Sequence, residues 1–229
     1  MTLALLQPVF APNLYDLAVM MRADLIVLQD LERWSRKSRV HRAVIRTPGG
    51  VQYISIPVRT EDRKRAIRDV RIDHDSGWAS QMIKSLRYNY RNSIYFDHYE
   101  PEIVADIEKG REYEYLLPYT LFLRYRLFSF LELELKEREV LSTDLDHYDS
   151  DPDRLAQHLE ADVLYQEYNS RHYQRQAAGR REPDFTHPVY RQHFEGFEAC
   201  CSLYDLLFQF GPESFRILDQ IAPADRESS

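Results

Sequence analysis

Two cysteines in 229 residues, adjacent at Cys200 and Cys201, rule out a disulfide framework, because a bridge needs its Cα atoms apart and its side chains converging. Lying between Phe197 and Leu203, they read as small core residues rather than as a thiolate nucleophile. Glycine is almost as scarce, seven in all. None lies between Gln7 and Leu17, so that stretch carries neither a dinucleotide fingerprint nor a Walker phosphate loop. No apolar run approaches the roughly 20 residues of a membrane span. The eight histidines are scattered, and with no His-Glu-x-x-His and no paired Cys-x-x-Cys no metal is expected. A Gly-x-Ser-x-Gly elbow is missing too, which disfavours a hydrolase triad. Residues 1–6 are apolar but lack a basic leader and a small-residue cleavage pattern, and they run into Pro8, Pro12 and Asp16. No secretory signal is expected, and a reducing cytoplasm is the expected address.

What is present is the composition of a folded protein, 44% hydrophobic and 13% aromatic, in a chain long enough to bury a core. No Gly/Ser- or Pro-rich linker divides it. One domain over residues 1–221 is expected, with 222–229, Ala-Pro-Ala-Asp-Arg-Glu-Ser-Ser, as a frayed tail. The net charge of −7 argues against a non-specific nucleic-acid binder, which would need cations to neutralise phosphates. That charge is unevenly spread: up to Ser76 there are 13 Lys and Arg against 9 Asp and Glu, so a segment of about +4 precedes one of about −11. The basic part suits an anionic small ligand.

Residues 2–6 and 25–28 are continuous apolar runs on either side of a helical pattern at 14–22. Runs without polar alternation need cover on both faces, so this opening predicts a βαβ unit in a parallel sheet and an α/β fold. Ligands of such sheets bind at the carboxyl ends of the strands, which places the stretch from Gln7 to Asn13 and the pair Gln29, Asp30 on one rim. Thr47-Pro48-Gly49-Gly50 between residues 42–46 and 51–58 predicts a β-hairpin insertion. Residues 67–73 alternate as a half-buried strand would. Asp75 or Ser76 is then placed to cap a helix starting near Trp78. Helix dominates to about Leu135, with breaks expected near Glu100-Pro101, Gly110 and Pro118. Further on, strands are expected at 139–143 and 162–168, a helix at 152–161, a mobile basic loop at 174–184 and an extended stretch at 190–197. A Ser202-capped helix ending at Gly211-Pro212 and a short helix over 213–221 complete this helix-rich second half.

Three stretches together resemble the WbqC-like family. The first is Leu5-Leu6-Gln7-Pro8-Val9-Phe10-Ala11-Pro12 with Tyr15, followed by a helix and a strand ending in Asp30. The second runs from His41-Arg42 through Ile56-Pro57-Val58 to Trp78, Tyr90 and Tyr95-Phe96. The third is His187-Pro188-Val189-Tyr190-Arg191-Gln192, Gly196-Phe197, the run from Leu203 to Phe208, and Gly211-Pro212. Two positions depart from the family pattern: His41 stands where an Asn precedes the arginine, and Met82 where a His often follows the tryptophan. The resemblance implies a role in surface-polysaccharide synthesis, with glycine or a similar acyl group attached to an amino sugar. A nucleotide sugar would then be the small-molecule substrate, and a carrier-protein thioester or an adenylate the activated donor. It identifies no cofactor. If the histidine replaced at Met82 were the catalytic acid or base, another residue must serve here, or the chain only binds.

Each candidate residue has a functional and a structural reading. Gln7, Pro8 and Asn13 belong to a strand-to-helix loop whose amides and helix dipole can hold a phosphate or carboxylate; alternatively Pro8 and Pro12 stiffen a tight connection and Asn13 is an ordinary cap. Asp30 ends the second strand, where a carboxylate can orient a hydroxyl or take a proton from an attacking amine. His41 and Arg42 lie in a run with Arg33, Arg36, Lys37, Arg39 and Arg46 that can clamp a diphosphate or simply face solvent. Tyr15, Trp34 and Trp78 can stack on a base or sugar, though aromatics beside apolar runs are more often core. His187, Tyr190 and Gln192 can bind an acceptor amine or polarise a carbonyl, while Pro188 suggests a turn. Fold analogy alone also admits an adenylate-forming ligase or nucleotidyltransferase-like enzyme, and a non-catalytic scaffold is the third reading.

Overall fold

The opening βαβ unit forms as its apolar runs predict: Thr2–Leu6 (β1) and Leu25–Leu28 (β2) pair in parallel, Leu3 opposite Leu25 and Leu6 opposite Leu28, joined by helix Leu14–Arg22 (α1). This computed structural model describes residues 1–167 and 177–223. Strands Glu139–Leu141 (β5), Val163–Gln166 (β6) and Arg180–Arg181 (β7) complete an all-parallel sheet in the order β5-β2-β1-β6-β7. Tyr168, part of the basic loop (174–176) and most of the tail (224–229) lie outside the described residues, whereas β7 gives the remainder of that loop an edge strand.

Because successive side chains of a strand point to opposite faces, β1 and β2 serve two cores. Ala4, Leu6, Ile26 and Leu28 join the larger, with α1 and the helices Leu116–Phe130 (α4) and Leu203–Phe210 (α6). Leu3, Leu5 and Val27 join the smaller, capped by Leu155 and Ala156 of helix Pro152–His158 (α5). Each of these buried Leu, Ile and Val side chains contributes about 1.5–3 kcal/mol, and covering both faces is what a parallel sheet requires.

Arg42–Thr47 (β3) and Gly50–Ser55 (β4) form the expected antiparallel hairpin, turning at Pro48-Gly49. Residues 67–73 do not form a strand. Ile67–Asp69 is a 3-10 turn, followed only by isolated bridges of Ile72 to Val58 and Arg71 to Tyr115. Buried Ile67, Val70 and Ile72 supply the apparent alternation from a turn rather than from a pleat. Helix Trp78–Tyr90 (α2) starts from Gly77, at φ 65°, while Asp73 caps the short turn before it. Pro101 lies within Phe96–Glu108 (α3) rather than breaking it: it is exposed, as is Asp97, whose carbonyl loses its partner there, so water can satisfy it. The break falls at 91–95 instead. Pro118 sits in the first turn of α4, where no N–H is needed. Residues 190–197 form no regular element. Beyond α6, a 3-10 turn over Gly211–Ser214 leads into the short helix Phe215–Leu218 (α7).

Gly211 is fixed twice over, by a φ of 48° and by Tyr95, whose ring carbons would lie 2.6 Å from an added Cβ. Gly211→Ala is therefore expected to destabilise the fold by about 1–3 kcal/mol. Urea denaturation checks this, and an unchanged midpoint would mean that Tyr95 swings aside freely.

Candidate functional site

All five strands run the same way, so the carboxyl ends of β1, β2, β5 and β6 share one edge, which carries Gln7, Asp30, Ser142 and Glu167. The chain steps from β1 to β2 on one side and places β6 on the other. The order therefore reverses between β1 and β6, and crevices form at such reversals. One is found there: Leu6, Val9 and Met20 make its apolar wall, and Gln7, Asp16, Arg39, Arg124 and Glu167 its polar one. It is too narrow, in this conformation, to admit a water-sized sphere.

Asp16 does two things. With Asn13 it forms a reciprocal capping box, Asn13 N–H donating to Oδ2 at 2.8 Å and Asp16 N–H to Asn13 Oδ1 at 3.1 Å, so the start of α1 is fixed. The same Oδ2 accepts a hydrogen bond from Arg39. Arg39 also places its Nε 3.2 Å from Oε1 of Glu167, off the direction of a hydrogen bond, so that this buried oxygen has no hydrogen-bond partner among the described residues. Burial pushes the Glu167 carboxyl up to about 7, with Asp16 and Glu32 adding to the rise and Arg39 opposing it. Burial pulls the Arg39 guanidinium down, but Asp16 and Glu167 outweigh it and hold the group above its ordinary range.

Arg124, 1% exposed, closes the other side. Its Nε and Nη2 donate to Glu139 of β5 at 3.0 and 2.5 Å, and Nη1 to the Val9 carbonyl at 3.1 Å. Gln7 donates to Glu32 at 3.1 Å, which joins the crevice to the corner where Asp30 sits. Asp30 is fully buried. Its Oδ1 accepts from Ser142 Oγ (2.7 Å) and Thr143 N–H (3.0 Å), and its Oδ2 has no hydrogen-bond partner among the described residues.

The other residues singled out from the sequence fall into five separate places. Pro8 is buried in the β1–α1 loop and Trp78 in the core against Tyr119. His41 packs on Trp34, with ring centres 4.9 Å apart, and burial with Arg42 nearby pulls its imidazole down to about 4. The Arg42 guanidinium donates to the carbonyls of Ser38, at 3.0 Å, and Lys37 and lies over the Tyr53 ring. Tyr15 and His187 pack with tilted rings 4.9 Å apart, beside Phe185 and Phe197, and burial holds His187 below its usual value.

Tyr190 and Gln192 serve buried Asp205, which accepts from Tyr190, Gln192 and Tyr90 at 3.0 Å each. Burial pushes this carboxyl up to about 6, against those three bonds and Arg46. Burial also raises both cysteine thiols, away from the reactive thiolate.

Sequence reasoning named Gln7 and Arg39 of this crevice, and the adjoining cap Asn13, but not Asp16, Arg124 or Glu167. Asp16 carried a signal, the capping-box spacing from Asn13. Glu167 carried another, a carboxylate ending an apolar strand as Asp30 does. Among the described residues no helix is long and apolar enough to cross a membrane. In comparisons with known proteins, a family model described as the WbqC-like protein family matches residues 7–217. No curated protein and no solved structure matches.

Proposed function

The chain belongs to the WbqC-like family, and from that premise we propose that it transfers an acyl or aminoacyl group, such as glycyl, to the amine of a nucleotide-linked amino sugar in surface-polysaccharide synthesis. The observation that carries this reading is Glu167, a buried carboxyl held at about 7 at the sheet's switch point, next to a fixed guanidinium. An amine attacks a carbonyl only as the free base, so the reaction needs an acceptor for its proton at neutral pH, and a general base works best when its pKa lies near the working pH. The amine nitrogen attacks the carbonyl of a thioester donor, the C–N bond forms, the C–S bond breaks, and Glu167 passes the proton to the departing thiolate. Arg39 holds the phosphate or carboxylate of a substrate, for which its planar fork is suited. Gln7 and the loop to Asn13, with Asp30 on the same edge, orient the acceptor, and Asp30 or His187 is the alternative base.

The test is direct. Purified protein, a uridine-diphosphate amino sugar and a glycyl or acetyl thioester are incubated and the acceptor's mass is followed. Gain of one acyl group, lost in Glu167→Gln, supports the reading. Absence of any product with thioester or adenylate donors overturns it. One observation favours a non-catalytic binding role instead: the crevice is closed by the Arg39 ion pairs to Asp16 and Glu167. That role predicts a thermal shift with the nucleotide sugar and no product.

A further inference from the structure

The basic run after β2 begins on one of two paired loops. Arg33 bridges to Ala66, and Trp34 N–H donates to the Arg65 carbonyl at 2.9 Å. Ile67 and Arg68 N–H groups donate to the carbonyls of Glu32 and Asp30 at 2.8 and 3.1 Å. Two loops distant in sequence are thus zipped antiparallel. In such a pairing the chain leaving residue 34, with Arg36 and Lys37, and the chain approaching residue 65, with Arg63 and Lys64, extend from the same end.

The carboxylates of these loops are already engaged: Asp62 by Arg71 and Arg65, Glu61 by Arg71, Asp69 by Arg68, and Glu32 by Gln7. Arg33, Arg36, Lys37, Arg63 and Lys64 are all exposed, and among the described residues none forms an ion pair with a carboxylate. Two paired loops thus carry five exposed cations without a carboxylate partner among the described residues, on a chain whose net charge is −7. The surface adjoins the candidate site, since Arg68 donates to Thr143 Oγ1 at 2.5 Å and Thr143 N–H to Asp30.

From this placement we propose that the paired loops dock an acidic protein, namely the carrier that presents the thioester; the inference rests on the transferase reading. Freely projecting, solvated cations make a steering surface rather than a small-anion pocket, which is concave and holds its cations fixed. None of the large exposed hydrophobic side chains, such as Tyr88, Ile94 and Val189, belongs to either loop, so the surface has no anchor for a bilayer.

The experiment measures binding of the full chain to a purified acidic acyl-carrier protein, with inorganic pyrophosphate and phosphatidylglycerol-containing vesicles as comparison probes. The variant carries Arg36→Gln, Lys37→Gln, Arg63→Gln and Lys64→Gln, all at exposed positions where the fold is untouched. Carrier binding that weakens with salt and falls roughly tenfold or more in the variant, mainly through the association rate, supports the proposal. Equal binding by wild type and variant overturns it, as does binding of vesicles or pyrophosphate without the carrier. Its failure is separable from that of the transferase reading. Transfer from a free thioester that persists without patch-dependent carrier binding removes the docking surface alone, and carrier binding without any transfer removes the reaction alone.

Discussion

Replacing Arg124 by alanine is expected to cost about 3–5 kcal/mol of stability, the penalty for stranding one member of a buried ion pair. Both partners are 1% exposed at their side chains, so Glu139 would remain charged without its cation beneath helix α4, with the Tyr125 hydroxyl as its side-chain partner. The Val9 carbonyl would lose its donor too. For a chain of this size that loss lowers Tm by about 10 °C, and differential scanning calorimetry reads it. The control is the double variant Arg124→Met with Glu139→Leu. Replacing both charges with apolar side chains of similar volume is often neutral or stabilising, so this variant is expected to recover most of the loss. If both variants melt alike, packing around the guanidinium, including its position over the Phe128 ring, holds α4 to the sheet instead.

Glu167→Gln is expected to lower kcat/KM by about 10²- to 10⁴-fold, the usual contribution of a positioned general base. A structural role alone would lower activity equally at every pH. A base instead gives the wild type an acid limb near pH 7, and the variant loses that limb. Stability supplies an independent readout with a definite sign. The folded carboxyl sits at about 7 against 4.5 for the free group, so between those values the native protein keeps a proton that the unfolded chain has released, and wild-type stability falls as pH rises through that window. Glutamine cannot ionise. Relative to wild type, the variant is therefore expected to gain Tm between pH 5 and pH 8. Parallel Tm curves across that range would mean that the Glu167 carboxyl is not raised toward neutrality, which removes the argument for it as the base.

How much of this was legible depended on whether the signal was local. The βαβ opening was legible because β1 and β2 carry unbroken apolar runs, and the hairpin because Pro-Gly-Gly demands a turn. Residues 67–73 misled because three buried side chains of a 3-10 turn and its flank can imitate a strand's period over so short a stretch. The helix break was misplaced because Pro101 stands where the carbonyl it frees faces water. In the site, the Asn13–Asp16 box is local and readable. That Arg39 then ties Asp16 to Glu167 is a product of β6 pairing with β1, and no spacing in the sequence announces it. Likewise the loop of Arg63 and Lys64 meets that of the earlier basic run through the pairing of residues 30–34 with 65–68, which no local pattern announces.

The strand order also has a bearing on how the protein is made. β1 is the central strand, yet its second neighbour is β6, where Thr2 sits opposite Val163. At synthesis rates of about 5–20 residues per second, a ribosome emits the opening strand roughly 10–30 seconds before the strand that closes its free edge. Through that interval a strand of five residues, four of them fully apolar, stands with one row of backbone N–H and C=O groups unpaired. The nascent chain is therefore a natural client for a chaperone that covers exposed strand edges during elongation.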